Sequence, residues 1–172
     1  MAAEMNTRTR RPVVLDHDKG EALWFNNDLL TLKATGAQTD GAYLLVEEVA
    51  RRGKVTPLHA HPFEEETFYM LEGEVVIHLD GDERSLRVGS LVSVPPGLAH
   101  AYLVTSEVAH SLILITPGSG AMEQFFREAG DPAPQLVLPE AGPLDIERIA
   151  AAAERTGAVE ILGPPPFGSS GD

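Results

Sequence analysis

Between Leu23 and Ile115 the chain is written in short runs of Val, Ile, Leu, Thr and Tyr, cut every few residues by Gly, Pro or Asp. Punctuation that dense leaves no room for long helices and dictates an all-β domain. Strands are predicted at Leu29–Thr35, Ala42–Val49, Thr67–Leu71, Glu74–Leu79, Glu83–Val88, Leu91–Val94, Ala101–Val104 and Val108–Thr116. Asp80-Gly81 separates two of these runs and tolerates the positive φ angles of a tight hairpin turn. Many short strands at close spacing describe an antiparallel sandwich or barrel rather than a βαβ sheet.

After Ile115 the period changes. Met122, Phe125, Phe126 and Ala129 fall at i, i+3, i+4 and i+7, so a helix is predicted with Ser119 as its cap and Gly130 as its stop. A Pro-rich connector leads to a second predicted helix, Leu144 to Arg155, closed by Gly157. The chain therefore divides into an N-terminal arm (1–22), a β-barrel (23–118), a helical appendage (119–162) and a loose tail (163–172). No internal repeat is present.

Composition bounds the function. A chain of 172 residues makes one domain. With 13 Lys and Arg against 26 Asp and Glu, the net charge is −13. Such a surface repels phosphate backbones and anionic lipid, which argues against nucleic acid and membrane partners. The absence of cysteine removes disulfides, thiolate metal sites and cysteine nucleophiles. Residues 1–12 lack the apolar stretch of a signal peptide, and Leu112–Ile115 is far below the ~20 residues of a membrane helix. A soluble, cytoplasmic protein is the expectation.

Three of the six histidines share one pattern. Gly53 is followed after five residues by His59-Ala60-His61, then by Glu66 and, six residues beyond that, Gly73. Further on, Gly89 is followed after five residues by Pro95-Pro96-Gly97 and then by His100. Side chains alternate along a strand, so His59 and His61 point the same way and can grip one ion. Glu66 opens the apolar run Thr67–Leu71, where an inward carboxylate is costly unless a cation compensates it. His100 follows a Pro-Gly corner that turns a side chain back across the domain. Three imidazoles and one carboxylate leave about two of six octahedral positions open, as a catalytic metal requires. Against this, an isolated His-x-His is usually not a metal site, and Glu64, Glu65 and Glu66 also read as a solvated acidic run. The composite spacing favours the metal.

These two segments resemble the first and second motifs of the cupin superfamily, G-x5-H-x-H-x(3,4)-E-x6-G and G-x5-P-x-G-x2-H-x3-N. Gly53, His59, His61, Glu66 and Gly73 meet every position of the first. Gly89, Pro95, Gly97 and His100 meet the second, but Val104 stands where the motif closes with Asn. The text Glu66 to Glu74, Trp24-Phe25, and the stretch from Gln124 to Pro165 are further similar to bacterial single-cupin proteins of the quercetin 2,3-dioxygenase type.

The resemblance implies an antiparallel cupin β-barrel, or jelly roll, with C-terminal helices. It implies one divalent transition metal (iron, nickel, cobalt, manganese, copper or zinc) held by His59, His61, Glu66 and His100. It further implies a dioxygenase acting on a flavonol-like or enolic aromatic molecule with dioxygen, Glu66 serving as ligand and base, in a homodimer. The alternatives are a metal-dependent cyclase or isomerase of a polyketide-like molecule and a non-enzymatic ligand-binding cupin. By strand parity Phe68 and Met70 share the face of Glu66, and Tyr102 that of His100; they line either a substrate pocket or the ordinary core. His78 is expected to face solvent or an interface, His110 to be buried and hydrogen-bonded, and His17 to be exposed.

Overall fold

Leu44, Val46, Glu48 and Ala50 are buried while their neighbours are half-buried, and this period-2 pattern makes Leu44–Arg51 a strand with one face in a core. The computed structural model describes residues 11–168. In chain order its elements are β1 (Glu21–Phe25), β2 (Asp28–Ala34), α1 (Gly36–Thr39), β3 (Leu44–Arg51), β4 (Leu58–Ala60), β5 (Glu65–Glu72), β6 (Glu74–Leu79) and β7 (Asp82–Arg87). They continue with β8 (Leu91–Val94), β9 (His100–Val104), β10 (Val108–Thr116), α2 (Ala121–Ala129), β11 (Asp131–Pro132), α3 (Ile146–Thr156) and β12 (Glu160–Gly163).

The strands form two antiparallel sheets. One has seven strands in the order β11-β1-β2-β3-β10-β5-β8, the other five in the order β12-β4-β9-β6-β7. Among the described residues the two sheets are not hydrogen-bonded into a closed barrel. The arrangement is the antiparallel jelly roll that the sequence predicts, and its core includes Leu44, Val46, Met70, Ile77, Val104 and Ile115. Val104, at the place of the motif Asn, is part of that apolar core.

Turn chemistry sets the registers. Asp80 (φ 48°) and Gly81 (φ 90°) both adopt positive φ between β6 and β7, as the Asp-Gly pair predicts. Asn26 (φ 53°) and Asn27 (φ 68°) do the same between β1 and β2. At Gly73 (φ 76°) the chain passes so close to the Val108 carbonyl and the Ser106 hydroxyl that no Cβ fits.

Four details depart from expectation. β1 begins at Glu21, inside the stretch read as an arm, and β12 extends to Gly163. The cap of α2 is Gly120 rather than Ser119, whose hydroxyl instead accepts the Ala121 N–H at 3.2 Å and donates to Glu64 Oε1 at 2.5 Å. α3 starts after Asp145, whose Oδ1 accepts the Arg148 N–H at 3.0 Å, and ends at Gly157. The arm's residues 1–10 and the tail's 169–172 lie outside the described residues. No described helix is long and apolar enough to cross a membrane.

The apolar stripe of α2 is buried as its spacing requires, and Phe125 and Phe126 stack edge-on against Phe25 at 5.6 and 5.5 Å. The C-terminal segment does more than pack helices on the outside. β12 adds to the five-stranded sheet beside β4, setting Ile161 opposite His59. That strand roofs the region where the motif residues meet.

Candidate metal centre

Three short elements deliver the motif residues to one point. β4 carries His59, His61 follows directly, β5 carries Glu66, and β9 opens with His100. His59 and His100 are register partners across β4 and β9, and their rings lie 4.2 Å apart. The His61 ring is 5.2 Å from His59 and 5.3 Å from His100. One ligating atom from each of His59, His61, Glu66 and His100 lies within 4.8 Å of all the others. The Pro-Pro-Gly corner accounts for the approach of the two motifs: the Gly97 N–H donates to the His61 carbonyl at 2.8 Å.

Each imidazole is oriented by a backbone carbonyl behind it. Nδ1 of His59 faces Pro57 O at 2.8 Å, that of His100 faces Leu98 O at 2.9 Å, and that of His61 faces Ala158 O at 3.1 Å. A proton on Nδ1 serves each carbonyl and leaves an Nε2 lone pair. Nε2 of His100 and of His61 then approach the same carboxylate oxygen, Glu66 Oε2, at 3.0 and 3.2 Å. Nε2 of His61 is buried without a hydrogen-bond partner. Lone pairs converging on an anionic oxygen repel unless a cation sits among them. Outer-sphere carbonyls of this kind are what hold histidine ligands in place. The residues fit a divalent metal.

Electrostatics agree with an ionised Glu66 carboxylate beside a neutral His59 imidazole. Burial and the neighbouring rings of His100 and His61 push His59 down to about 3. Burial alone would raise Glu66, but the His61 and His100 imidazoles hold its carboxyl well below the usual range. His61 is raised, since Glu66 outweighs the effect of burial.

The cluster borders a cavity with mostly apolar walls. Phe68 and Tyr102 line it, joined by Phe25, Phe125 and Phe126, by Met122 and Ile149 of the helices, and by Val159 and Ile161. Met70 is buried in the core and is not among the wall residues. A further buried carboxylate that lines the cavity, Glu48, is not among the residues singled out from the sequence. Its position was legible, because Glu48 shares the inward face of Leu44, Val46 and Ala50.

The other acidic and histidine residues fall elsewhere. Glu65 turns to the opposite face of β5, where it accepts from Ser93 Oγ at 2.6 Å. Glu64 is buried on Ser119, not solvated as part of an acidic run. His78 sits on β6 with its ring 6.3 Å from Phe167, away from the cluster. His110 is half-buried and pairs with Glu47 at 2.8 Å, and His17 is exposed.

A two-sheet jelly roll with this cluster between its motif strands defines a cupin. Residues 45–116, the stretch that holds both motifs, match the family described as the cupin domain. The chain is 32% identical over 139 residues to quercetin 2,3-dioxygenase of Bacillus subtilis (strain 168). That alignment covers 80% of this chain and 41% of the relative, so the chain spans about two fifths of the length of that protein. Among solved structures, an RmlC-like cupin from Shewanella frigidimarina NCIMB 400 superposes with a TM-score of 0.53 at 16% identity, covering 64% of this chain and 99% of the other. A structure described as a predicted oxalate decarboxylase from Thermotoga maritima gives 0.52 at 21% identity, covering 61% and 97%. These two likenesses establish the fold.

Proposed function

We propose that the protein is a metal-dependent dioxygenase that opens a flavonol-like, enolic aromatic molecule, with His59, His61, Glu66 and His100 as the metal ligands. The observation that carries this reading is the convergence of three carbonyl-oriented imidazoles and one carboxylate at the wall of an aromatic-lined cavity. The 32% identity to a quercetin 2,3-dioxygenase supports the choice of substrate class.

A divalent transition metal at this cluster supplies Lewis acidity that makes an enol hydroxyl more acidic. The chain's own residues do the rest. Glu66 Oε2, ionised within the cluster, is the acceptor for the hydroxyl proton. Phe68, Phe25 and the two phenylalanines of α2 bury the rings of a flat ligand and exclude water from the deprotonated molecule. The Nδ1 contacts to Pro57, Leu98 and Ala158 hold the imidazoles while this happens.

In this reading the helical appendage (119–162) works as part of the β domain, since it furnishes cavity walls. The active form is a homodimer: β8 ends the larger sheet with exposed Leu91 beside exposed Tyr69. Light scattering that returns the mass of one 18.5 kDa chain overturns the dimer.

Elemental analysis of protein purified without added metal, followed by oxygen consumption on flavonols and polyketide-like phenols, tests the function. Stoichiometric oxygen uptake with flavonol loss is expected. Conversion without oxygen uptake selects a cyclase or isomerase instead, and binding without conversion at full metal occupancy selects a ligand-binding protein.

A further inference from the structure

The cavity contains a second carboxylate that the metal cluster does not use. Along β5 the inward residues are Glu66, Phe68 and Met70, facing Ile115, Ile113 and Ser111 of β10. Ser111 in turn pairs with Glu48 of β3. Glu48 therefore stands two register levels from Glu66, with the Phe68–Ile113 level between them. Both carboxylates border the same cavity, and Phe68 lies against Tyr102 with ring centroids 5.8 Å apart.

The surroundings of Glu48 fix its place. The Tyr102 hydroxyl donates to Oε1 at 2.5 Å, and the Ser111 hydroxyl reaches Oε2 only at 3.4 Å. Lys54 Nζ, which is ion-paired with buried Asp28, stays 3.9 Å from Oε1. Oε1 is well anchored. Oε2 has one long, weak partner and keeps acceptor capacity. Only 6% of Glu48 is exposed, so this capacity is not met by bulk water.

We propose that Glu48 is a specificity-determining residue that accepts a hydrogen bond from a second hydroxyl of the substrate, remote from the enol oxygen held at the metal cluster. The substrate class narrows accordingly to polyhydroxylated aromatics, in which an enol at one end and a phenol at the other are bridged by rings packed on Phe68. The inference rests on the dioxygenase reading for its ligand class. A buried carboxylate left unpaired by an analogue that lacks the second hydroxyl penalises that analogue, which is how a polar group in an apolar cavity discriminates.

The test is equilibrium binding under argon of quercetin and of 3-hydroxyflavone, which carries the enolic hydroxyl alone, to purified protein of measured metal content. The wild type is expected to bind quercetin about tenfold more tightly or better. Glu48→Leu should bring the ratio to within about threefold by weakening quercetin, with 3-hydroxyflavone and metal content little changed. Glu48→Gln, which keeps the shape and secures the result should the leucine variant fold poorly, should lower the ratio by at least about threefold. A wild type without preference, or a ratio that residue 48 does not alter, overturns the inference and leaves the dioxygenase reading standing. Binding of neither compound by the wild type overturns both.

Discussion

The carbonyl oxygen of Ala158 lies 3.1 Å from Nδ1 of His61, joining residues 97 positions apart. The C-terminal segment thus orients a residue of the metal cluster, whereas the four cluster residues all fall between His59 and His100. Removing residues 157–172 takes away that carbonyl, the β12 pairing with β4, and the cavity walls at Val159 and Ile161. Metal affinity in the truncated protein is expected to fall by about 10- to 100-fold, the usual effect of losing an outer-sphere partner of a ligating histidine. Competition against a graded series of chelators measures it, with circular dichroism confirming the β fold. Unchanged affinity would show that Ala158 does not contribute to the site.

His59→Ala, His61→Ala and His100→Ala should each sharply reduce the metal retained through purification, because the remaining donors are left incomplete. His78→Ala should retain wild-type metal, since its ring contacts Phe167 and none of the four cluster residues. Plasma emission spectroscopy on the four variants decides the matter. An empty His78→Ala site beside a full His100→Ala site would remove His100 from the ligand set.

Glu65 and Glu66 offer an internal control, because adjacent strand residues face opposite ways. Glu66 lies among the imidazoles, whereas Glu65 accepts from Ser93 on the outer face. At matched metal content, Glu66→Gln should abolish flavonol turnover and Glu65→Gln should stay within about twofold of wild type, as an outward carboxylate contributes little. Wild-type turnover in Glu66→Gln would eliminate Glu66 as the base.

The alternation of apolar residues located most of the strands because both sheets bury one face, and the two motifs placed all four cluster residues in space. What was not legible has physical reasons. β4 is three residues long and β12 four, too short for alternation to register, and β12 lies in a segment whose helical period and terminal Pro and Gly dominate its reading. The support of His61 by Ala158 is a backbone contact, to which side-chain chemistry in the sequence gives no clue. Met70 and Phe68 share a face of β5, yet only Phe68 meets the cavity, because parity gives a side but not a depth. Glu48 is different. A carboxylate in the inward register of Leu44, Val46 and Ala50 was visible, and it lines the same cavity as the metal cluster.

Burial pushes the Glu48 carboxyl up to about 7, helped by the charge of Glu66 and opposed by the hydrogen bonds from Tyr102 and Ser111. In the unfolded chain the same group titrates near 4.5. Between these values the native state binds more protons than the unfolded state, so this group's contribution to stability is fully present below about pH 4.5 and is lost as pH rises through 7. The slope from one such group is at most about 1.4 kcal/mol per pH unit. Glu66 and Lys54 act on Glu48 directly, so the difference between wild type and a Glu48→Gln variant reads the titration of Glu48 together with its coupling to them. Urea unfolding of both proteins at pH 5, 6, 7 and 8, with chelator present throughout, measures that difference. Relative to Glu48→Gln, the wild type should lose stability steadily from pH 5 to 7 and then level off near pH 8. Parallel stability curves would mean that Glu48 is ionised across the whole range and that its burial is balanced by its partners.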